Sequence, residues 1–298
     1  MSTTARNRPA VAEGIRQLLG SSRPISWVNT AYPFAAAYLM AGGGITAGLV
    51  IGTLFFLFPY NLLMYGINDV FDHESDLRNP RKGGVEGIVL AARWHRLILW
   101  SAVLLALPFV VALLAAGTVL SGAVLAVVLA AVVGYSAPRI RLKERPLLDS
   151  MTSSTHFVGP AVFGLALAGA PPSLPVVASM IAFFLWGMAS QAFGAVQDVT
   201  ADRQAGIGSI ATALGARGAV RTAIVLYAAA GLVMVLAGWP GALAGLLTVP
   251  YLLSIWPFRA LPDECCEEAN RGWRRFLWLN QVTGFLLTLL LIWIALGG

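Results

Sequence analysis

The chain has 298 residues, 58% of them hydrophobic and 11% charged, with a net charge of +6 and a mean hydropathy of +0.76. A soluble domain carries roughly a quarter charged residues, so an ordinary water-facing surface is excluded. The basic residues are spread over short segments with no separate basic domain, which excludes nucleic acid as a partner.

Residues 1–24 are polar and Arg-containing. They read as a cytoplasmic tail, without the apolar stretch and small-residue cleavage site of a signal peptide. Nine apolar runs follow, at 25–41, 46–70, 92–114, 119–137, 148–170, 173–198, 217–237, 240–258 and 274–296. Each approaches the ~20 residues that cross a bilayer as a helix. The expectation is an all-α integral membrane protein: nine transmembrane helices in a bundle, with 25–298 as a single transmembrane domain in contact with membrane lipid. The longest polar segment, 71–91, is too short to fold alone.

All 20 Lys and Arg lie in the tail and in segments 71–96, 138–147, 199–222 and 259–275, and the alternate connections carry no charge. This asymmetry predicts a multi-pass cell-membrane protein with its N-terminus in the cytoplasm and its C-terminus outside. Every Asp and Glu follows the same side. Cys265 and Cys266 are adjacent in a cytoplasmic segment, so a structural disulfide is not expected. Three His in the whole chain give no zinc ligand set.

The second run ends in a polar series: Asn61, Tyr65, Asn68, Asp69, Asp72 and Asp76. At 3.6 residues per turn, Asn61, Tyr65, Asn68, Asp72 and Asp76 share one helix face. The sixth run ends similarly, with Gln191, Gln197, Asp198 and Asp202; Gln191, Asp198 and Asp202 share a face. Acids at a helix end are often merely solvated. Two such ends on one membrane side, each with polar residues running up inside the apolar span, need a water path, a partner or an ion. Mg²⁺ suits them, because it takes a few carboxylate oxygens and completes its shell with water and phosphate. The expected ligand is a Mg²⁺-bound phosphate or diphosphate, with nearby cations balancing the charge. Arg78, Arg81 and Lys82 follow the first cluster; Arg139, Arg141 and Lys143 follow the fourth run; Arg203 follows the second cluster.

These motifs resemble those of the UbiA-type intramembrane prenyltransferases. The family's Asn-Asp-x-x-Asp-x-x-x-Asp is matched by Asn68, Asp69, Asp72 and Asp76. Its second motif, Asp-x-x-x-Asp before a Gly, is matched by Asp198, Asp202 and Gly206. A Tyr-Ser-x-Pro segment appears at Tyr135, Ser136 and Pro138, and a Ser-Arg-Pro opening at Ser22, Arg23 and Pro24. The resemblance covers about the whole chain and implies the UbiA-type fold around a central cavity. It implies that Asn68, Asp72, Asp198 and Asp202 hold Mg²⁺, two ions in all, bridging the diphosphate of an allylic donor. Lys82, Arg139 or Lys143, and Tyr135, would then stabilise the leaving group, with Asp76, Arg81, Ser136 and Gln191 completing the substrate site. Second motifs in the family often carry further acids, whereas Gln197 stands before Asp198 here. Phe71, Phe193 and Trp186 are candidates to face the allylic cation, or ordinary packing residues.

The acceptor is less constrained. No Lys or Arg lies mid-membrane to hold a carboxylate; Arg23, at a helix start, is the one candidate. The fifth run carries Asp149, Ser150, Thr152, Ser153, Ser154, Thr155 and His156. An intramembrane His is a functional candidate. His156 either removes the proton from the coupled carbocation or hydrogen-bonds between helices. Stretches 22–34, 80–87 and 186–191 resemble the actinobacterial lycopene elongases. That resemblance implies dimethylallyl diphosphate as donor and lycopene, a flat uncharged polyene, as lipophilic acceptor. The alternatives are a quinone precursor, haem or phospholipid acceptor and, in another class, a cation-coupled transporter. The transporter fits poorly, because its ionisable groups belong near the midplane between inverted repeats.

Overall fold

The computed structural model describes residues 4–77 and 88–297. Among them the regular structure is all helical, with no strand. It forms two compact units, Met1–Arg141 with Gly159–Ala170, and Leu142–Val158 with Pro171–Gly298.

The first unit is built on helices Val28–Met40, Ala47–Leu57, His95–Ala116 and Val119–Ser136, behind an amino-terminal helix Thr4–Ser21. Local chemistry sets their starts. The Thr46 hydroxyl accepts from the Leu49 amide, and Thr118 and Ser121 form a reciprocal capping box. On His95–Ala116, Ile98, Ala102, Ala106 and Leu113 are buried, while Trp100, Leu104, Leu107 and Val111 are exposed. An apolar stripe on the outward face is what a lipid-facing helix presents. The interior is aromatic: Phe34 lies with ring centroids 5.2 Å from Phe56 and 5.8 Å from Phe163. Gly164 lets its helix approach this layer, since a Cβ there would lie 2.6 Å from the Phe34 carbonyl oxygen. Gly164→Ala is therefore expected to cost about 1–3 kcal/mol, read as a lower melting temperature in detergent.

The second unit is built on Leu148–Leu167 up to Val158, then Leu174–Gly194, Ile210–Val233, Val249–Ile255 and Asn270–Ala295. Tyr227 and Tyr251 stack at 5.4 Å in its interior, and Trp186 stacks on Phe276 at 5.8 Å. Buried hydroxyls find partners: Ser190 and Tyr227 share a hydrogen bond of 2.9 Å, and Tyr251 donates to Asn280 Oδ1 at 2.8 Å. The Asp149 carboxylate accepts from the Ile210 amide at 2.9 Å and so helps cap that helix.

Seven helical runs among the described residues are long and apolar enough to cross a bilayer, against nine expected: Ala47–Phe71, Ala92–Ala116, Val119–Ser136, Leu174–Ala205, Ile210–Ala237, Gly241–Phe258 and Asp263–Ala295. The other two expected spans are helical but fall short of that test. Val28–Met40 has 13 residues, and Leu148–Leu167, with 20, carries the polar series from Asp149 to His156. A multi-pass membrane protein remains the result.

Candidate active site

The helix carrying the first aspartate cluster is not uniform. A π-helical segment, Leu62–Gly66, precedes the short helix Ile67–Phe71. A π turn takes up an extra residue and rotates everything beyond it relative to what came before. Asn61 is thereby separated from the face on which the regular period placed it. Its side-chain amide is buried and donates to Thr30 Oγ1 at 2.8 Å and to the Phe56 carbonyl at 2.8 Å. Asn61 thus joins neighbouring helices rather than the acidic end.

Beyond the π segment, three residues of the motif acquire distinct settings. Ser136 Oγ donates to Asn68 Oδ1 at 2.8 Å. Asp69 is fully buried, with an Arg23 nitrogen 3.1 Å from its Oδ1. Arg23 also lies 4.3 Å over the Tyr65 ring. Asp72 sits where the helix breaks, with φ −100° and ψ 3°. An Arg141 guanidinium nitrogen stands 3.4 Å from its Oδ1. Asp76 is buried one turn later, its amide donating to the Asp72 carbonyl at 2.8 Å.

The loop that delivers Arg141 is unusual. Arg139 and Arg141 both have positive φ, 73° and 39°, where side chains other than Gly are disfavoured. The Arg141 amide donates to the Ala137 carbonyl at 3.0 Å, which holds the turn. Arg139 points to the surface and Tyr135 is half-buried.

In the second unit, Asp198 ends a 3-10 turn, Ala195–Asp198, and Asp202 lies on the following helix, Val199–Ala205, which stops at left-handed Gly206. The turn is held from outside. Gln197 Nε2 donates to the Gly194 carbonyl at 3.0 Å, and Asn270 Nδ2 donates to Gln197 Oε1 at 2.6 Å. Gln197 is therefore a brace where an acid often stands. Gln191 Oε1 accepts from Ser153 Oγ at 3.0 Å. Lys143 is half-buried and His156 is 3% exposed in this unit. Arg203 turns away from the role of phosphate partner: it pairs with Asp263 and donates to the Thr212 carbonyl at 2.9 Å. Phe193 packs on Phe258 in the interior, so it is a core residue. Both cysteine thiols are free, Cys266 buried and Cys265 exposed. Arg78, Arg81 and Lys82 lie outside the described residues.

Carboxylate and amide oxygens are hard donors of the kind Mg²⁺ takes. Among the described residues no three His, Cys, Asp or Glu side chains converge to hold a metal. Mg²⁺ binds through one or two carboxylates and leaves its other positions to water and phosphate.

Residues 30–280 match the UbiA prenyltransferase family. The chain belongs to that family. It is 51% identical over 280 residues to the lycopene elongase/hydratase of Corynebacterium glutamicum, covering 94% of this chain and 98% of that protein. A C(50) beta-cyclic carotenoids biosynthesis protein of Dietzia sp. is 52% identical over 97% of this chain and 67% of its own length. The lycopene elongase/hydratase of Haloferax volcanii is 33% identical over 93% of this chain. Among solved structures, a UbiA homolog from Archaeoglobus fulgidus bound to DMAPP and Mg²⁺ aligns with a TM-score of 0.64 at 19% identity, over 90% of this chain and 98% of that one. That likeness is one of fold. The protein is a multi-pass membrane prenyltransferase of the UbiA family.

Proposed function

We propose that this UbiA-family prenyltransferase transfers a dimethylallyl group from dimethylallyl diphosphate to lycopene and releases diphosphate. The chemistry rests on Asn68, hydrogen-bonded by Ser136, and on Asp72, which stands at a helix break beside Arg141. The acceptor rests on the 51% identity to a lycopene elongase/hydratase over nearly the whole chain.

In this reading Asn68, Asp72, Asp198 and Asp202 hold two Mg²⁺, and Asp76 supports them. Bound Mg²⁺ supplies charge neutralisation on the diphosphate oxygens. Tyr135, Ser136, Arg139 and Lys143, with Arg81 and Lys82, orient the diphosphate and bear its charge as the allylic C–O bond breaks with both electrons on oxygen. The terminal alkene of lycopene donates its π pair to the allylic carbon, and a C–C bond forms. A proton then leaves the carbon next to the new cation, and His156 accepts it. Gln191, held by Ser153, borders the acceptor path. The apolar helices exclude water from the cation. Arg23, engaged with Asp69, positions the first motif rather than an acceptor carboxylate. The charge asymmetry of the connections supports a mouth of the site on the cytoplasmic side.

Membranes containing the protein, supplied with labelled dimethylallyl diphosphate, Mg²⁺ and lycopene, are expected to yield a carotenoid heavier by one or two five-carbon units. Product only with a quinone precursor, haem or phospholipid would keep the transferase and remove the carotenoid. No diphosphate release with any acceptor would remove both. His156→Ala is expected to slow turnover about 100-fold while leaving the KM for the donor unchanged. An unaltered rate would make His156 a structural residue.

A further inference from the structure

Arg141 is set up to do more than neutralise Asp72. Its side chain is 32% exposed and that of Asp72 is 11% exposed, so the pair lies at the edge of the folded interior. Arg141 reaches that position from a backbone conformation that a side chain rarely adopts, and Arg139 two residues earlier shares the condition. Two left-handed non-glycine residues in one short turn are costly, and such strain persists where the surrounding structure enforces it for a purpose. The planar fork of a guanidinium matches a carboxylate and a phosphate equally well. A hard dication and a guanidinium, by contrast, compete for the same carboxylate oxygens.

We propose that Arg141 occupies Asp72 when no metal is bound and transfers to the donor's diphosphate when the metal-bound donor arrives. Arg141 is then a diphosphate-binding residue that also suppresses metal binding to the empty protein. The exchange keeps the charge at Asp72 balanced before and after loading, and it couples metal uptake to arrival of the diphosphate. This inference rests on the proposed metal site at Asn68 and Asp72.

The test uses the full chain in nanodiscs, with Mn²⁺ as an EPR-visible stand-in for Mg²⁺ and inorganic pyrophosphate as the anion. Arg141→Gln is expected to bind Mn²⁺ alone about five-fold more tightly, the affinity equivalent of removing one partly exposed ion pair. The same variant is expected to bind pyrophosphate in the presence of Mn²⁺ about ten-fold more weakly, having lost a charge-assisted bidentate contact. Opposite signs are the signature, because a merely structural role would weaken both. Arg141→Lys keeps a cation beside Asp72 and is expected to leave Mn²⁺ binding near that of the wild type while weakening pyrophosphate. It decides the matter if Arg141→Gln fails to fold. Both affinities unchanged, or both reduced, in the variant that folds would overturn the exchange. Asp72→Asn serves as the separate control: Mn²⁺ binding that survives it would remove the metal site itself, whatever Arg141 does.

Discussion

Asp72→Asn is expected to lower turnover by about three orders of magnitude while the protein remains folded in the membrane. The substitution preserves size and leaves the helix break at Asp72 in place, so the loss is one of charge. Asp72 sits where the first motif meets its cation, with Arg141 3.4 Å away. An amide there is a far poorer partner for Mg²⁺ than a carboxylate. Raising Mg²⁺ should recover part of the rate, because weakened affinity is a concentration-dependent defect. Asp198→Asn is expected to show the same loss from the other motif. Full activity in either variant, measured as diphosphate release, would count decisively against the proposed metal ligands.

Arg23→Gln is expected to destabilise the protein by about 3–5 kcal/mol, because it takes a guanidinium away from a buried carboxylate. Asp69 is fully buried and the Arg23 side chain is 18% exposed, so water does not replace the lost charge. The variant also removes the cation from the Tyr65 ring, which lies in the π segment just before Asn68. The double variant Arg23→Gln with Asp69→Asn should recover most of the stability, since a neutral pair buries no charge. Thermal unfolding in detergent of the single and double variants measures the coupling. A melting temperature unchanged by Arg23→Gln would show that the pair contributes nothing to the fold.

The candidate site residues were named from residue types and spacing alone. Asn68, Asp72, Asp198 and Asp202 stand out because carboxylates are expensive near a bilayer unless they serve something. Ser136 and the basic stretch from Arg139 to Lys143 stood out by their place in the Tyr-Ser-x-Pro segment, and the structure brings Ser136 to Asn68. Asn61 misled, because a regular 3.6-residue period has no way to register a π turn. Arg203 misled for a different reason. Its neighbours along the chain are acids of the second motif, yet its partner Asp263 is 60 residues away. The capping role of Asp149 and the brace of Asn270 on Gln197 are likewise long-range, and no local pattern announces them.

Apolar run length by itself determined that the chain crosses a membrane repeatedly. The physical reason is that transfer of charge and of unpaired backbone into hydrocarbon is penalised residue by residue, a quantity written directly into the sequence. Tertiary structure alone decided which acid meets which base: Asp69 with Arg23, Asp72 with Arg141, Asp263 with Arg203. Ion pairing depends on distances of a few ångströms between residues far apart in the chain, and folding creates those distances.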